Sequence, residues 1–243
     1  MKIALIGYGK MGHAIERIAS RRGHQIVCTI DTGEDEKFDS PEFIDADVAI
    51  EFTMPSAAVA NYRRALGKGI KVVSGTTGWT SALPEVKEII ENTGGTLFWS
   101  SNFSIGVNIF MKINAYAASL MSRFGQYIPA MKEIHHIHKL DHPSGTAITL
   151  AETIISNHQP TTGWTEAADG DTVDNGIIPI SHERTGEVPG THIVSWTSPV
   201  DTVTLEHRAF SRDGFALGAV VAAEWLNENP AEKGLIGMEK LLD

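Results

Sequence analysis

A short stretch in the middle of the chain concentrates side chains that can move protons: His135-His136-Ile137-His138-Lys139-Leu140-Asp141-His142-Pro143-Ser144-Gly145-Thr146. Histidine titrates near neutral pH and lysine carries a positive charge, so these residues suit proton transfer beside an anionic substrate. The stretch is predicted to be a strand end, a turn and a helix start, because it lies between a partly apolar run and residues with helical spacing.

The residues before the turn are predicted to form a strand over 131–138, since they are partly apolar and contain no glycine or proline. Side chains of a strand alternate between its two faces, so Glu133 and His135 should share one face. If the extended backbone continues for one more residue, Lys139 returns to the face of His135.

The residues after the turn are predicted to form a helix, with Pro143 in the turn and Ser144 as the N-cap. The backbone N–H groups of Ser144, Gly145 and Thr146 would then be free for an anion, which the helix dipole also favours. A small carboxylate substrate held beside Lys139 fits this arrangement.

The local spacing leaves two other interpretations open. The histidines could bind a metal, because His135, His138 and Asp141 have a possible ligand spacing. They could also be surface residues without a specific role. Catalysis is the interpretation that we favour, and we expect no metal in the site.

The amino terminus carries a glycine-rich motif in the context typical of a nucleotide-binding turn. The run Gly7-Tyr8-Gly9-Lys10-Met11-Gly12 follows an apolar strand-like run and precedes a helical pattern. Gly7 permits the tight turn, Gly9 lets a pyrophosphate approach the backbone, and Gly12 permits close helix packing. We therefore predict a dinucleotide-binding domain.

An acidic residue stands where the ribose of such a cofactor is expected. Asp31 follows the second predicted strand, 25–30, and could accept hydrogen bonds from a ribose 2′-hydroxyl. An acid repels the 2′-phosphate of NADPH, and the next residue is Thr32 instead of an arginine, although Lys37 could partly compensate. We expect NADH as the favoured cofactor and NADPH as the alternative.

Strands and helices alternate through the first part of the chain, with further strands predicted at 48–52, 71–74 and 96–99. Gly75-Thr76-Thr77-Gly78 follows the fourth strand, where a parallel sheet meets its ligand. Ser100-Ser101-Asn102-Phe103 follows the fifth strand. The acidic stretch 33–46 is predicted as a loop. This alternation indicates a doubly wound, Rossmann-type parallel sheet.

A second region begins with a long predicted helix over 104–124. It holds the histidine-rich stretch with its helix, a Gly/Thr/Asp-rich loop at 160–176, and predicted strands at 177–181, 192–198 and 201–210. A closing helix is predicted at 214–227. We predict an α/β protein with a dinucleotide-binding domain of residues 1–103 plus 214–243 and an α+β substrate domain of residues 104–213.

Bulk composition excludes several classes of function. The 243 residues carry a formal net charge of −10, which argues against binding to nucleic acid or to anionic membranes. The single cysteine, Cys28, excludes an intramolecular disulfide and is predicted to be a buried thiol. No secretory signal or membrane-spanning run is recognisable, so we expect a cytoplasmic protein.

Nearly the whole chain resembles the 4-hydroxy-tetrahydrodipicolinate reductase (dihydrodipicolinate reductase) family. The most specific match is the run His135 to Ala147, which follows the family pattern HHxxKxDxPSGTA. Further support comes from the glycine-rich turn and from four more runs: Gly75-Thr76-Thr77-Gly78, Asn102-Phe103-Ser104-Ile105-Gly106-Val107-Asn108, Arg184-Thr185-Gly186-Glu187-Val188-Pro189-Gly190-Thr191-His192 and Leu205-Glu206-His207-Arg208-Ala209.

The resemblance implies that hydride passes from a reduced nicotinamide to a cyclic imine dicarboxylate in the diaminopimelate route to lysine, with water lost from the 4-hydroxyl. It implies that His135 and Lys139 are catalytic and that His136, Ser144, Gly145 and Thr146 contact the substrate. It also implies a homotetramer assembled through the substrate domain. The implied cofactor contacts are Gly7, Tyr8, Gly9, Lys10, Met11, Gly12, Asp31, Gly75, Thr76, Thr77, Ser100, Ser101, Asn102 and Phe103.

The chain departs from the family pattern at a few positions. Many members carry alanine where Ser100 and Ser101 stand, and often an arginine where Thr32 stands, which weakens an NADPH assignment. Three rival functions were weighed: a metal-dependent hydrolase or lyase, a dinucleotide-sensing regulator, and a relative of aspartate dehydrogenase. The chain shows no basic DNA-binding segment, and the Lys-x-Asp-x-Pro-Ser-Gly-Thr run argues against the last.

Overall fold

A computed structural model describes the helices and strands of residues 1–242. The strands are β1 (Lys2–Ile6), β2 (Gln25–Ile30), β3 (Val48–Glu51), β4 (Lys71–Ser74), β5 (Thr96–Trp99), β6 (Ile128–His135), β7 (Gly163–Glu166), β8 (Ile177–Arg184), β9 (Thr191–Thr197), β10 (Thr202–Arg208) and β11 (Gly234–Ile236). The α-helices are α1 (Lys10–Arg21), α2 (Pro41–Ile44), α3 (Pro55–Gly67), α4 (Leu83–Thr93), α5 (Ile105–Met121), α6 (Gly145–Asn157) and α7 (Asp213–Glu228). Short 3₁₀ helices lie at Asp35–Asp39, Thr80–Ala82 and Met238–Leu241.

The chain divides into two compact units. The first unit contains Met1–Ile105 and the carboxyl-terminal stretch from Asp213 onward, and the second unit contains Gly106–Arg212. What each unit binds stays a prediction. Within residues 1–242, no helix is both long enough and apolar enough to cross a lipid bilayer.

The first unit is built on a six-stranded parallel sheet in the order β11-β5-β4-β3-β1-β2. Strands β1 and β3 are mostly apolar and buried along nearly their whole length, because both faces of the sheet are covered. One face packs against α1 and α7, whose buried residues include Ile15 and Val220. The other face packs against α3 and α4, with Tyr62 and Ile89 in its core. The predicted Rossmann-type fold is confirmed.

The second unit is built on a five-stranded mixed sheet in the order β10-β9-β6-β8-β7. Strand β6 pairs in parallel with β8 and antiparallel with β9, so it lies at the centre of the sheet. Its core joins Phe110 of α5 and Leu150 of α6 to Trp196 of β9. The predicted α+β character of this region is confirmed.

Two local predictions are corrected by the structure, and one strand is found where no element was predicted. The stretch 33–46 is not a loop, because Ser40 accepts a hydrogen bond from the Phe43 N–H and starts α2, and Phe38 and Phe43 are buried. The predicted loop at 160–176 contains β7, and the carboxyl-terminal tail contains β11. Both strands are short and are recognised by their pairing, of β7 with β8 and of β11 with β5. Local composition does not indicate these partners.

Candidate active site

The glycine-rich turn connects β1 to α1 and packs tightly against neighbouring backbone. Gly7 has φ +92°, and a Cβ built there would lie 2.1 Å from the carbonyl oxygen of Phe52. A Cβ on Gly12 would lie 2.5 Å from the carbonyl oxygen of Gly7. A Cβ on Gly9 would meet no atom within 4 Å among the described residues. The turn is therefore closed on its protein side and open at Gly9, as approach of a pyrophosphate requires.

A cavity of about 330 Å³ lies at the carboxyl edge of the first sheet, and we call it the nucleotide cavity. It brings together the glycine turn, the residues after β3 and the residues after β4. Its lining is Gly9, Lys10, Met11, Phe52, Thr53, Pro55, Gly75, Thr76 and Thr77. The order of the sheet reverses at β1, beside β3, which is where α/β sheets bind nucleotides. Phe52, Thr53 and Pro55 were not among the predicted site residues, although they follow a predicted strand.

A buried carboxylate holds the walls of the nucleotide cavity in place. Glu51 is fully buried and accepts hydrogen bonds from Ser74 Oγ at 2.6 Å, from Thr76 Oγ1 at 3.0 Å and from the Thr53 hydroxyl. Burial raises the pKa of Glu51 despite these donors. Because Thr53 and Thr76 line the cavity, Glu51 determines the orientation of their hydroxyl groups.

Asp31 is exposed directly after β2, as predicted. Its Oδ1 accepts a hydrogen bond from the Thr32 N–H at 2.9 Å. Lys37 lies 2.7 Å from Glu34 and donates to the carbonyl oxygen of Thr29, so its ammonium group is held by protein groups. The expectation that Lys37 could compensate for the acid is therefore not supported by its contacts.

Several predicted cofactor contacts lie outside the lining of the nucleotide cavity and make contacts within the first unit, and their part in cofactor binding stays a prediction. The Tyr8 hydroxyl donates to Glu16, which holds the ring against α1. Ser100 Oγ accepts from the Asn102 N–H at 3.1 Å in a tight turn after β5. The Phe103 ring is buried against Phe98 and Phe52, so the Phe103 side chain belongs to the core. For Ser101, no described contact indicates a role.

Strand β6 ends at His135, earlier than predicted. The Thr185 N–H donates to the His135 carbonyl at 2.8 Å, and the Lys139 N–H donates to the His136 carbonyl at 3.1 Å and closes a turn. The argument that extended backbone returns Lys139 to the face of His135 is therefore wrong. The predicted shared face of Glu133 and His135 is confirmed, because both side chains are buried on the same side of β6.

Five residues of the second unit form a buried polar group that we call the Glu133 cluster: Glu133, His135, Ser144, Arg184 and His192. Glu133 has 0% exposure. Its Oε1 accepts from the Ser144 N–H at 3.0 Å and from Arg184 Nη2 at 2.9 Å. Its Oε2 lies 3.0 Å from His135 Nδ1, although the ring is not aligned for an ideal hydrogen bond.

The charges of the Glu133 cluster are compensated inside the protein. Burial alone would raise the pKa of Glu133, but the contacts with His135, Ser144 and Arg184 outweigh burial and hold it well below its usual range. His192 Nε2 lies 3.1 Å from Ser144 Oγ. Burial, assisted by the nearby charge of His135, lowers the pKa of His192 to about 4. His192 is therefore neutral at pH 7, while Glu133 is ionised.

His135 and its surroundings leave space beside the outer nitrogen of the ring. A Cβ built on Gly190 would lie 3.0 Å from His135 Nε2, so only a glycine keeps this position free of a side chain. Because Nδ1 faces Glu133, Nε2 is the nitrogen left for a reacting group. Arg184, Gly190 and His192 were absent from the predicted site residues, although they lie in a run that matches the family pattern.

Arg184 also holds the loop that carries Lys139. Its Nη2 donates to the Asp141 carbonyl at 2.7 Å and its Nε to the Lys139 carbonyl at 3.3 Å. Lys139 Nζ lies 2.7 Å from both carboxylate oxygens of Asp141, which lowers the pKa of Asp141. His136, the other predicted substrate contact in this loop, lies 3.3 Å from Arg212 Nη2.

Ser144 starts α6 as predicted, and its Oγ accepts from the Ala147 N–H at 3.2 Å. The expectation of a free Ser144 amide is wrong, because Glu133 accepts that N–H. Within residues 1–242, no hydrogen bond is found for the backbone N–H of Gly145 or Thr146, and a Cβ on Gly145 would meet nothing within 4 Å. The open anion-binding donors are therefore these two amides.

The alternative of a metal site in this region is disfavoured by charge. Within the described residues, His135, His138 and Asp141 do not form a ligand cluster, since His135 is buried and His138 lies 3.4 Å from Glu187. Glu133, His135 and His192 do place ligand atoms within 4.8 Å of one another. The Arg184 guanidinium already pairs with the Glu133 carboxylate and would repel a metal cation.

The depressed pKa of His192 predicts loss of stability in acid. Between pH 6.5 and about 4 the unfolded chain binds a proton at His192 and the folded chain does not, so falling pH favours unfolding. His192→Gln should remove this part of the pH dependence, which corresponds to a loss of roughly 3 kcal/mol in the free energy of unfolding. Urea denaturation from pH 7 to pH 4 measures it, with His138→Gln as an exposed control. An unchanged slope in His192→Gln would contradict the assignment.

Comparison with known proteins gives consistent matches over the whole chain. The family model described as dihydrodipicolinate reductase, N-terminus, matches residues 1–103, and the C-terminus model matches residues 106–242. The 4-hydroxy-tetrahydrodipicolinate reductase of Christiangramia forsetii is 43% identical over 242 residues, covering 100% of this chain and 98% of that protein. The Archaeoglobus fulgidus enzyme of the same name is 38% identical over 250 residues, covering 93% and 94%.

A solved structure has the same fold. It is a dipicolinate-bound dihydrodipicolinate reductase from Paenisporosarcina sp. TG-14, with a TM-score of 0.76 and 23% identity, covering 98% of this chain and 97% of that chain.

Proposed function

The chain belongs to the dihydrodipicolinate reductase family, and from this premise we propose which of its residues carry out the reduction of 4-hydroxy-tetrahydrodipicolinate in the diaminopimelate route to lysine. The observation that carries the assignment of residues is the double role of Glu133. One buried carboxylate contacts His135 and also fixes Ser144 at the start of α6. A proton donor and a carboxylate-binding helix end are therefore held by the same group.

The nucleotide cavity fits a dinucleotide because it offers open space at the glycine-rich turn and free backbone N–H donors. Gly9 is open, and α1 begins at Lys10 without a side-chain cap, which leaves the first amides of the helix for a phosphate. When bound, a reduced nicotinamide supplies the hydride. Gly75, Thr76 and Thr77 form the opposite wall, and Glu51 holds the Thr76 hydroxyl that a ligand would meet.

The substrate is a small dicarboxylate, as the name of the dipicolinate-bound relative supports. The free backbone N–H groups of Gly145 and Thr146 donate to one carboxylate of the substrate, and the dipole of α6 also favours this negative charge. Lys139 supplies a positive charge beside it. Arg212, which lies 3.3 Å from His136, is a second cation for a carboxylate in the same unit.

The proton that accompanies the hydride comes from His135 or Lys139. Loss of the 4-hydroxyl as water leaves a carbon–carbon double bond conjugated with the ring imine. Hydride transfer to the carbon that carried the hydroxyl leaves an electron pair that must take up a proton, and a group at hydrogen-bond distance must supply it. Glu133 Oε2 lies 3.0 Å from Nδ1 of His135, so Nε2 is the ring nitrogen that faces a reacting group. Lys139 pairs with Asp141 in the absence of substrate and exchanges that partner for the substrate carboxylate.

NADH is proposed as the favoured cofactor because the groups near the ribose position are acidic. Asp31 is exposed, and Lys37 is paired with Glu34. Asp31→Asn should raise the ratio of kcat/KM with NADPH to that with NADH by about tenfold, since it removes one charged repulsion and one charged hydrogen bond. Steady-state kinetics with both cofactors measures the ratio. An unchanged ratio would remove Asp31 from cofactor selection.

We further propose a cytoplasmic homotetramer without nucleic-acid or membrane partners. The net charge of −10 supports the absence of such partners. Apolar side chains stand exposed in the second unit next to β10, namely Val200, Val203 and Phe210, and these are suited to burial against another copy. Sedimentation equilibrium tests the assembly, and a monomer at micromolar concentration would contradict it.

A coupled assay tests the function. The unstable substrate is generated by its upstream synthase, and oxidation of NADH and NADPH is followed separately at 340 nm, roughly the absorption maximum of the reduced nicotinamide. We expect oxidation that requires both the synthase and this protein. Nucleotide binding without turnover of this substrate would contradict the assignment.

A further inference from the structure

Three side chains at one edge of the second sheet converge outside the Glu133 cluster. The Nδ1 atoms of His142 and His182 lie 2.7 and 2.8 Å from Oε1 of Glu166. The two imidazole rings are stacked with their centroids 4.4 Å apart and present Nδ1 to the same carboxylate oxygen. All three ligand atoms lie within 4.8 Å of one another. We call these residues the edge cluster.

Strand pairing and the loop before α6 bring the edge cluster together. Glu166 ends β7, the edge strand of the sheet, and pairs in register with Ile180 of β8. His182 lies two residues further along β8 and therefore on the same face as Ile180. His142 comes from the loop that also carries Lys139. The sheet thus fixes two members, and the loop supplies the third.

The donor set suits a transition metal ion. Two imidazole nitrogens and one carboxylate oxygen form the ligand set of many zinc sites that keep a fourth position for water. The members are partly exposed, with side-chain exposures of 48%, 36% and 32%, so water can reach that position. A separation of 2.7 to 2.8 Å between ligand atoms needs to widen only by about half an ångström to fit tetrahedral Zn²⁺ at 2.0–2.1 Å.

The electrostatic surroundings also favour a cation. A groove of about 500 Å³ includes Glu166 and His182 in its lining. Three further carboxylates, from Asp169, Asp171 and Glu183, line the same groove, against Lys132 as the single lysine of that lining. This excess of negative charge raises the local concentration of cations. The Glu133 cluster differs, because an arginine there already neutralises the carboxylate.

We propose that His142, Glu166 and His182 form a binding site for a divalent transition metal ion, with Zn²⁺ as the preferred ion. The ion replaces any proton on the two Nδ1 atoms, so binding releases protons to solvent. The site joins the loop of residues 136–144 to β7 and β8. Metal binding therefore restrains the loop that, under the proposed function, carries Lys139 and leads into the Gly145 amide at the start of α6.

Calorimetric titration of Zn²⁺ into the chelator-treated full-length protein tests the site. We expect one Zn²⁺ bound per chain, with an affinity reduced by at least about tenfold in His182→Gln and in Glu166→Gln, because loss of a ligand exceeds loss of a supporting contact. His138→Gln is the matched control, since His138 is an exposed histidine of the same unit with a single carboxylate neighbour. The control should bind Zn²⁺ as the parent protein does.

Visible absorption of the Co²⁺-loaded protein gives a second readout. A strong tetrahedral Co²⁺ spectrum in the parent protein that is lost in both variants, each checked as folded by circular dichroism, supports the site. Absence of binding, or equal affinity in the parent and in both variants, would overturn it and leave Glu166 as a hydrogen-bond acceptor for two imidazoles. These measurements contain neither substrate nor nucleotide, so their failure is distinguishable from failure of the proposed reductase function.

Discussion

Lys139→Ala is expected to lower kcat by about 10²- to 10⁴-fold while the affinity for NADH stays nearly unchanged. The side chain lies in the second unit, on the loop that Arg184 holds through two backbone carbonyls. The residues that line the nucleotide cavity all belong to the first unit. The substitution therefore removes a positive charge and a proton donor without removing any described contact of the cavity.

The loop itself should survive Lys139→Ala. Arg184 contacts the carbonyl groups of Lys139 and Asp141, which do not depend on the Lys139 side chain, and Ser144 keeps its hydrogen bond to Glu133. Asp141 loses its ammonium partner but is largely exposed and can be solvated. We therefore expect a folded protein with a defect in kcat instead of a general loss of stability.

Steady-state kinetics in the coupled assay and fluorescence titration with NADH measure the two quantities. Lys132→Ala is the matched control, because Lys132 is a half-buried lysine of the same unit that pairs with Asp169 at 3.0 Å. Its kcat should equal that of the parent protein. If Lys139→Ala also keeps the parent kcat, Lys139 has no part in the reaction.

Regular elements with strong local patterns could be predicted from the sequence. Strands β2, β4 and β5 have the predicted bounds, because short apolar runs between turn residues have few alternatives. The end of β6 could not be predicted from its own residues. It coincides with the end of its partner strand, because His135 pairs with Arg184, the last residue of β8, and a local sequence pattern carries no information about that partner.

Only part of the site could be predicted from the sequence, because some of its residues are brought together by contacts between distant parts of the chain. The residues that could react, His135 and Lys139, stand out by type and spacing. The groups that hold them, Glu133 and Arg184, are charged residues whose burial depends on one another across 51 positions of the chain. Ser144 is an example. Its position at the start of α6 was predictable, but its backbone N–H donates to Glu133, which lies in β6.

Glu133→Gln is expected to lower kcat/KM by about a hundredfold, because the amide removes the negative charge that lies 3.0 Å from His135 Nδ1. It should also destabilise the protein by about 3–5 kcal/mol, since Arg184 would keep a largely buried charge without its carboxylate. Gln can still accept the Ser144 N–H through its carbonyl oxygen. In that position the oxygen also keeps its contact with Arg184, and the NH₂ group takes the place of Oε2, 3.0 Å from His135 Nδ1.

The pH dependence separates a positioning role of Glu133 from a merely structural one. The substitution removes a negative charge 3.0 Å from His135 Nδ1, so the alkaline pH at which kcat/KM falls by half should move to lower pH in Glu133→Gln. A structural defect would lower the whole profile without moving it. The profile is measured at a temperature at which circular dichroism shows that the variant is folded.

Stability in acid provides the matching test of the Glu133 charge. The folded-state pKa of Glu133 lies well below that of the unfolded chain, so its contribution to stability is present above about pH 4.5 and is lost as the pH falls through the folded-state pKa. Glu133→Gln should lack this acid-dependent loss, whereas the part between pH 6.5 and 4 from His192 should persist. Urea denaturation from pH 7 to pH 3 measures both parts. Equal slopes below pH 4.5 in the parent protein and in Glu133→Gln would show that Glu133 is not the ionised centre of the cluster, and the role proposed for its charge beside His135 would fail with it.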